Sequence, residues 1–201
     1  MSLKTSYRFI APFYDAFLER GIASDIRRRS LNTLAQQERR SVLLSGAGTG
    51  LDFPFLPQQH DYAALDLTGA MLTQARPRAG NLRMQMVQGD SMALPFADAS
   101  FDYVVLHLIV AVVPQPPRCL AEAARVLRPG GRILLFDKFL RRGERAWLRR
   151  SLSPLVGRLA TRLDVVFEDV LETVSGLHVL SDQPVLARGW FRLIELQKEE
   201  A

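Results

Sequence analysis

The 201-residue sequence holds one cysteine, Cys119. That excludes a disulfide framework and a multi-thiolate zinc site. The three histidines, His60, His107 and His178, are widely spaced, so no metal site is expected. Eleven prolines and thirteen glycines are too few for a fibrous or disordered chain. No run of about 18 apolar residues occurs, so no membrane-spanning helix is expected. The longest apolar stretch, Val104 to Val113, is interrupted by His107 and runs into Pro114. It suits a buried strand and its turn. The N-terminus MSLKTSYRF lacks the apolar core of a signal peptide, and a cytoplasmic protein is the default expectation.

Apolar residues make up 48% of the chain and charged residues 23%, a balance that supports one packed core. The formal net charge is +5 and the pI about 9.9. The charge is uneven: Arg118 to Arg162 carries 12 basic and 3 acidic residues, Leu163 to Ala201 carries 3 basic and 8 acidic. The middle of the chain therefore presents either a positive face for anions (phospholipid, phosphate or nucleic acid) or a plain solvated basic surface.

Ile10, Phe13, Tyr14, Phe17 and Leu18 recur at helical spacing, and Pro12 favours a helix start nearby. A second helical pattern carries Ile22, Ile26, Leu31 and Leu34, with Arg27, Arg28 and Arg29 among them. Ser41–Ser45, Tyr62–Leu67, Leu82–Gln88, Phe101–Leu108 and Arg132–Asp137 read as strands. Thr68–Arg76 and Pro116–Leu127 read as helices, the second stopped by Pro129-Gly130-Gly131. Residues 143–160 read as a basic helix. Val179–Leu180 and Trp190–Gln197 read as closing strands. Strands alternate with helices, and the central strands are apolar on both faces. That predicts an α/β fold with a parallel sheet covered by helices on two sides.

Gly46-Ala47-Gly48-Thr49-Gly50 directly follows a strand, at the sheet edge where ligands bind. It is either a ligand loop or a tight turn. A dinucleotide loop wants Gly-x-Gly-x-x-Gly, and here Leu51 stands at the third glycine's position. A phosphate loop needs Gly-Lys-Ser/Thr, which is absent. Asp66 ends the second strand, where a carboxylate accepts both hydroxyls of a ribose or caps the next helix. Asp90 ends the third strand, where it reads an adenine amino group or caps a turn. Together they stand at three successive strand ends.

The strings VLLSGAGTG, AALDLTGAML, QGDSMALPFADASFDYVV and EAARVLRPGGRILLFD, spanning residues 42–137, resemble the class I S-adenosylmethionine-dependent methyltransferases. The resemblance implies a Rossmann-like, mostly parallel seven-stranded sheet with a C-terminal antiparallel hairpin. It implies that S-adenosylmethionine is the cofactor and S-adenosylhomocysteine the product. It places the methionine end against Gly46, Ala47, Gly48 and Gly50, the ribose on Asp66, and the adenine near Leu67, Met71, Asp90, Ser91 and Met92. His107 would face cofactor and substrate and is the first candidate base, or else a packed histidine. Tyr7 and Tyr14 would cover the site or contact the acceptor, or else pack in the core. Residues 1–201 would form one domain: 1–40 a lid or membrane-facing segment, 41–137 the cofactor core, 138–201 the substrate side and closing strands. One position departs from the family: Leu44 replaces the usual acid two residues before Gly46, and Ser45 supplies no charge.

Within the class, Ala11-Pro12-x-Tyr14-Asp15, LIVAVVPQPPRCL at residues 108–120 and the basic segment Lys138–Arg162 are similar to the bacterial phosphatidylethanolamine N-methyltransferases. This implies a phospholipid-headgroup amine as acceptor. The alternatives are a soluble small molecule or quinone precursor, or a cofactor-binding protein with little catalysis. Residues 138–162 and the N-terminal helix would make peripheral contact with the inner face of the membrane. Nucleic acid is not expected as acceptor, because His107-Leu108-Ile109-Val110 lacks the Asn/Asp-Pro-Pro-aromatic pattern of amino-methylating enzymes.

Overall fold

The computed structural model describes residues 22–140, 142, 165–186 and 189–200. Their elements are, in order, α1 (Ile22–Ala35), β1 (Ser41–Ser45), a short 3-10 helix (Phe53–Phe55), β2 (Asp61–Asp66), α2 (Gly69–Ala79), β3 (Arg83–Gln88) and β4 (Phe101–His107). Then come α3 (Pro116–Val126), β5 (Leu127–Lys138), α4 (Phe167–Leu171), β6 (Leu177–Leu186) and β7 (Phe191–Lys198). The strands form one seven-stranded sheet in the order β3-β2-β1-β4-β5-β7-β6. β1 to β5 run parallel, and β7 lies antiparallel between β5 and β6. This is the Rossmann-like sheet and closing hairpin that the sequence implied.

The period of two along each strand separates two cores. Val42, Leu44, Tyr103 and Val105 pack with Leu31 and Leu34 of α1 and Ala75 of α2. Leu43, Leu65, Val104 and Leu106 pack with Cys119, Leu120 and Ala123 of α3 and Phe167 and Val170 of α4. Helices therefore cover both faces, and the central strands are apolar on both sides for that reason. Each fully buried leucine, such as Leu31, contributes roughly 1.5–3 kcal/mol of transfer free energy. β1 and β4 are neighbours although β2 and β3 intervene in sequence, so chain direction across the sheet reverses there. A crevice at the carboxyl ends of β1 and β4 follows from that reversal.

Two elements differ from expectation. β6 runs over Leu177–Leu186, well beyond Val179–Leu180. It is an edge strand with register irregularities at Val179/Ser181 and Pro184/Leu186, so it carries no alternating pattern. β5 begins at Leu127, and Pro129-Gly130-Gly131 lies within an irregularity of its pairing with β4. The helices expected near Pro12 and over 143–160 lie outside the described residues.

Asp137, near the end of β5, is fully buried. Its Oδ2 accepts the Ala111 N–H and its Oδ1 the Lys138 N–H, at 2.9 and 2.8 Å. It thus pins the turn after β4. Burial pushes its carboxyl up to about 6, against the pull of these backbone donors. The folded protein then binds more protons than the unfolded chain between pH ~4 and ~6, so stability falls as pH rises through that window. The full effect is up to ~3 kcal/mol. Urea denaturation at pH 4.5 and 7 should show Asp137→Asn removing this downward slope relative to wild type. An unchanged slope would mean that Asp137 does not titrate there.

Candidate active site

The turn after β1 is held to β2: the Gly46 and Ala47 N–H groups both donate to the Leu65 carbonyl at 2.8 Å. Gly46, Gly48 and Gly50 have φ of +79°, +55° and +79°, the left-handed region that favours glycine. Their surroundings differ. A Cβ on Gly46 would meet Ile109 at 2.7 Å, and one on Gly50 would meet the Phe53 ring at 2.8 Å. A Cβ on Gly48 would meet nothing within 4 Å. Two glycines therefore allow close packing, and the middle one borders open space. Leu108, at φ +58°, turns the chain after β4 and is followed by the Ile109 that sits on Gly46.

Asp66 stands at the end of β2. Its Oδ2 accepts the Gly48 N–H at 2.9 Å, and its Oδ1 accepts from the Thr68 N–H and hydroxyl at 3.0 and 3.3 Å. It fixes the glycine loop and the turn into α2 together, and its Oδ2 retains a lone pair. Leu67 beside it is 44% exposed, a large apolar side chain at the ligand edge. Asp90 Oδ1 accepts the Met92 N–H at 2.8 Å, which shapes the turn after β3. Ser91 is buried, and its hydroxyl accepts from Ser45 at 2.9 Å. Met71 and Met92 are half-buried nearby in sequence, on α2 and in the β3 turn. The structure thus brings the three expected strand ends to one edge of the sheet.

His107 is buried, and both ring nitrogens are engaged within the protein. Its Nδ1 lies 2.8 Å from Asp52 Oδ1, and its Nε2 lies 2.9 Å from the Ser30 hydroxyl of α1. Asp52 is an acceptor, so Nδ1 carries a proton. Arg27 of α1 donates to the same Asp52 oxygen at 2.6 Å. Burial by itself would raise the Asp52 carboxyl, but Arg27 and His107 outweigh it and hold it well below the usual carboxylate range. Sequence reading missed Arg27, Ser30 and Asp52. The available signal was Asp52 lying two residues after Gly50, and its partners are 25 and 55 residues away. Tyr7 and Tyr14 lie outside the described residues.

Other titratable groups have structural partners. His60 Nδ1 accepts the Arg40 N–H and its Nε2 donates to the Leu34 carbonyl. Burial pushes the Cys119 thiol up to about 12, which leaves it unreactive. Burial lowers the Lys138 ammonium, with Asp137 opposing. No metal-binding group of histidines, cysteines and carboxylates occurs among the described residues.

Asp52→Ala would leave the Arg27 guanidinium buried without its partner. Breaking such a pair costs about 3–5 kcal/mol. Urea denaturation at pH 7 should register that loss, and a loss below ~1 kcal/mol would mean the pair is not formed in solution.

Known proteins share the sequence pattern and the fold. A family model described as a methyltransferase domain matches residues 43–135. A phosphatidylethanolamine N-methyltransferase of Cereibacter sphaeroides is 30% identical over 190 residues, 92% of each chain. A ubiquinone/menaquinone biosynthesis C-methyltransferase of Dinoroseobacter shibae is 40% identical over 114 residues, 53% of this chain and 46% of that one. Among solved structures, a SAM-dependent methyltransferase of Thermotoga maritima superposes with TM-score 0.69 at 19% identity, over 97% of this chain and 99% of that one. The [4+2]-cyclase SpnF superposes with TM-score 0.77 at 16% identity, over 98% and 95%. Structural likeness at that identity shows the fold; the sequence relatives show the activity, and the chain belongs to the S-adenosylmethionine-dependent methyltransferases.

Proposed function

We propose that this enzyme methylates the amine of a phospholipid headgroup of the phosphatidylethanolamine type. The observation that carries this reading is length. The relative named for that activity aligns over 92% of both chains, including the parts outside the cofactor core. The quinone methyltransferase aligns over 53% of this chain.

In this reading, S-adenosylmethionine supplies a methyl group activated on a sulfonium, and the chain's residues bind, orient and exclude water. Gly46, Ala47, Gly48 and Gly50 receive the methionine end, with Gly48 leaving the room. Asp66 takes the ribose with the lone pair that Gly48 leaves on Oδ2. Leu67 loses its exposure under the adenine, beside Met71 and Met92, and Asp90 and Ser91 read the adenine edge. His107 acts as a positioning residue: with both nitrogens engaged by Asp52 and Ser30, it holds the end of β4 against α1. The acceptor amine then loses its proton to another group or to water.

Peripheral membrane contact belongs to this proposal. Among the described residues no helix is long and apolar enough to cross a membrane. Arg142, one of the expected membrane arginines, is engaged by Asp169 and Glu172 at 2.7–3.1 Å. The other expected ones, Arg141, Arg145, Arg149 and Arg150, lie outside the described residues.

Two measurements test the reading. Radiolabelled methyl transfer into a lipid extract should place label on the amine headgroup, whereas label confined to quinone precursors or soluble metabolites would overturn the acceptor. Gly48→Ala should cost only ~1–2 kcal/mol of stability, because its φ is left-handed but its Cβ is unobstructed. It should weaken S-adenosylhomocysteine binding at least tenfold by calorimetry. Unchanged affinity in the folded variant would remove the loop from the site.

A further inference from the structure

The Arg27–Asp52 pair is unfinished as an ion pair. Arg27 is 6% exposed, and its Nε is buried with no hydrogen-bond partner. Both hydrogen bonds to Asp52 converge on Oδ1, from Arg27 Nη1 and His107 Nδ1. Oδ2 receives none from the described residues. Buried polar groups of native proteins are nearly always paired, so a charged donor without an acceptor asks for an explanation. It is sharper here because Asp52, its ion-pair partner, receives both of its donors from the described residues on one oxygen.

The place of the pair supplies the explanation. Asp52 lies two residues beyond Gly50, and His107 ends β4 at the reversal point of the sheet. Leu44 and Val105 are register partners on the face that α1 covers. His107 is the next residue of β4 on that same face. At position 44 the sheet offers only a buried apolar side chain. A buried carboxylate, Asp52, follows the loop at its far end and is kept ionised by Arg27 and His107.

We infer that Arg27 and Asp52 form a clamp for the zwitterionic amino-acid end of the cofactor. The Arg27 Nε–H donates to the α-carboxylate, and Asp52 Oδ2 accepts from the α-ammonium. A fixed pair of opposite charges is the complement of a zwitterion, and the match needs no net charge in the site. Ser30 and His107 are the positioning residues, because they hold Asp52 and α1 in register. This inference rests on the proposal that the glycine loop holds S-adenosylmethionine.

The test compares two ligands that differ in the amino-acid end. S-adenosylhomocysteine carries it, and 5′-methylthioadenosine lacks it while keeping the adenosine and the sulfur. By calorimetry, Arg27→Gln should weaken S-adenosylhomocysteine at least tenfold and change 5′-methylthioadenosine less than twofold. Equal weakening of both ligands would mean that Arg27 only supports the fold, and no weakening of either would mean that it does not touch the ligand. Each result overturns the clamp while leaving the loop assignment intact. If Arg27→Gln does not fold, wild type decides: decarboxylated S-adenosylmethionine should bind at least tenfold more weakly than the intact cofactor, and equal affinity overturns the clamp. Wild type binding none of these ligands would overturn the loop assignment and the clamp together.

Discussion

Asp52 is a carboxylate kept ionised away from water, and the carboxyl edge of the sheet is arranged around keeping it so. Burial works against the charge, and two hydrogen bonds to charged or polarised donors reverse the balance. Those donors come from α1 and from β4, so the same contacts that hold the charge also seat the helix on the sheet. Three parts of the chain, 25 and 55 residues apart, become one rigid group. The apolar contacts of Leu31 and Leu34 would hold α1 on this face, but would allow it to slide. A buried polar network with fixed geometry selects one register, and that is its use even where its net stabilisation is small.

The glycine loop shows why one short motif serves packing and binding at once. Gly46 and Gly50 are pressed by Ile109 and by Phe53, so their lack of a side chain closes the fold. Gly48 is pressed by nothing, so its lack of a side chain leaves a space. Asp66 joins the two functions. It accepts the Gly48 N–H and the Thr68 groups, which makes it a turn residue leading into α2, and one lone pair remains on Oδ2. The cap reading and the ligand reading of Asp66 were posed as alternatives from sequence. In the structure Thr68, not Asp66, stands at the N-cap of α2, and Asp66 closes the turn before it, which is compatible with the ligand reading.

What was legible in the sequence is what depends on local pattern. β1, β2, β4 and the second half of β5 are apolar on both faces because both faces are covered, β3 alternates at the sheet edge, and each was found within a residue or so, β5 apart from its early start. The glycine loop and the two strand-end aspartates were legible because they follow strands at short range. β6 was placed at Val179–Leu180, but its extent was not legible, because an edge strand carrying Pro184 and register shifts has no period to read. Asp52 was not, because its meaning lies in Arg27 and His107, and nothing local marks a residue that will be paired at long range. For the same reason the two readings of His107, candidate base or packed histidine, stayed open from sequence: the strand predicted its burial, but not the partners on both of its nitrogens.

Charge counted along the chain also differs from charge available in space. The basic middle and the acidic end of the sequence fold against each other. Arg142 meets Asp169 and Glu172 and Arg132 meets Glu195, while within the acidic end itself Arg192 of β7 is buried between Asp182 and Glu168 with its guanidinium over the Phe167 ring. Exposed pairs such as those of Arg142 add little stability, but they lower the positive potential that the protein presents at a distance. An anionic surface is therefore attracted by fewer arginines than the sequence holds, because a basic residue near such a surface contributes its ~1 kcal/mol only where no carboxylate is at hand. The acidic C-terminal segment thus sets how strongly the basic middle can act. Substitution of Asp169 or Glu172 would strengthen attraction to anions, an effect opposite to that of removing an arginine.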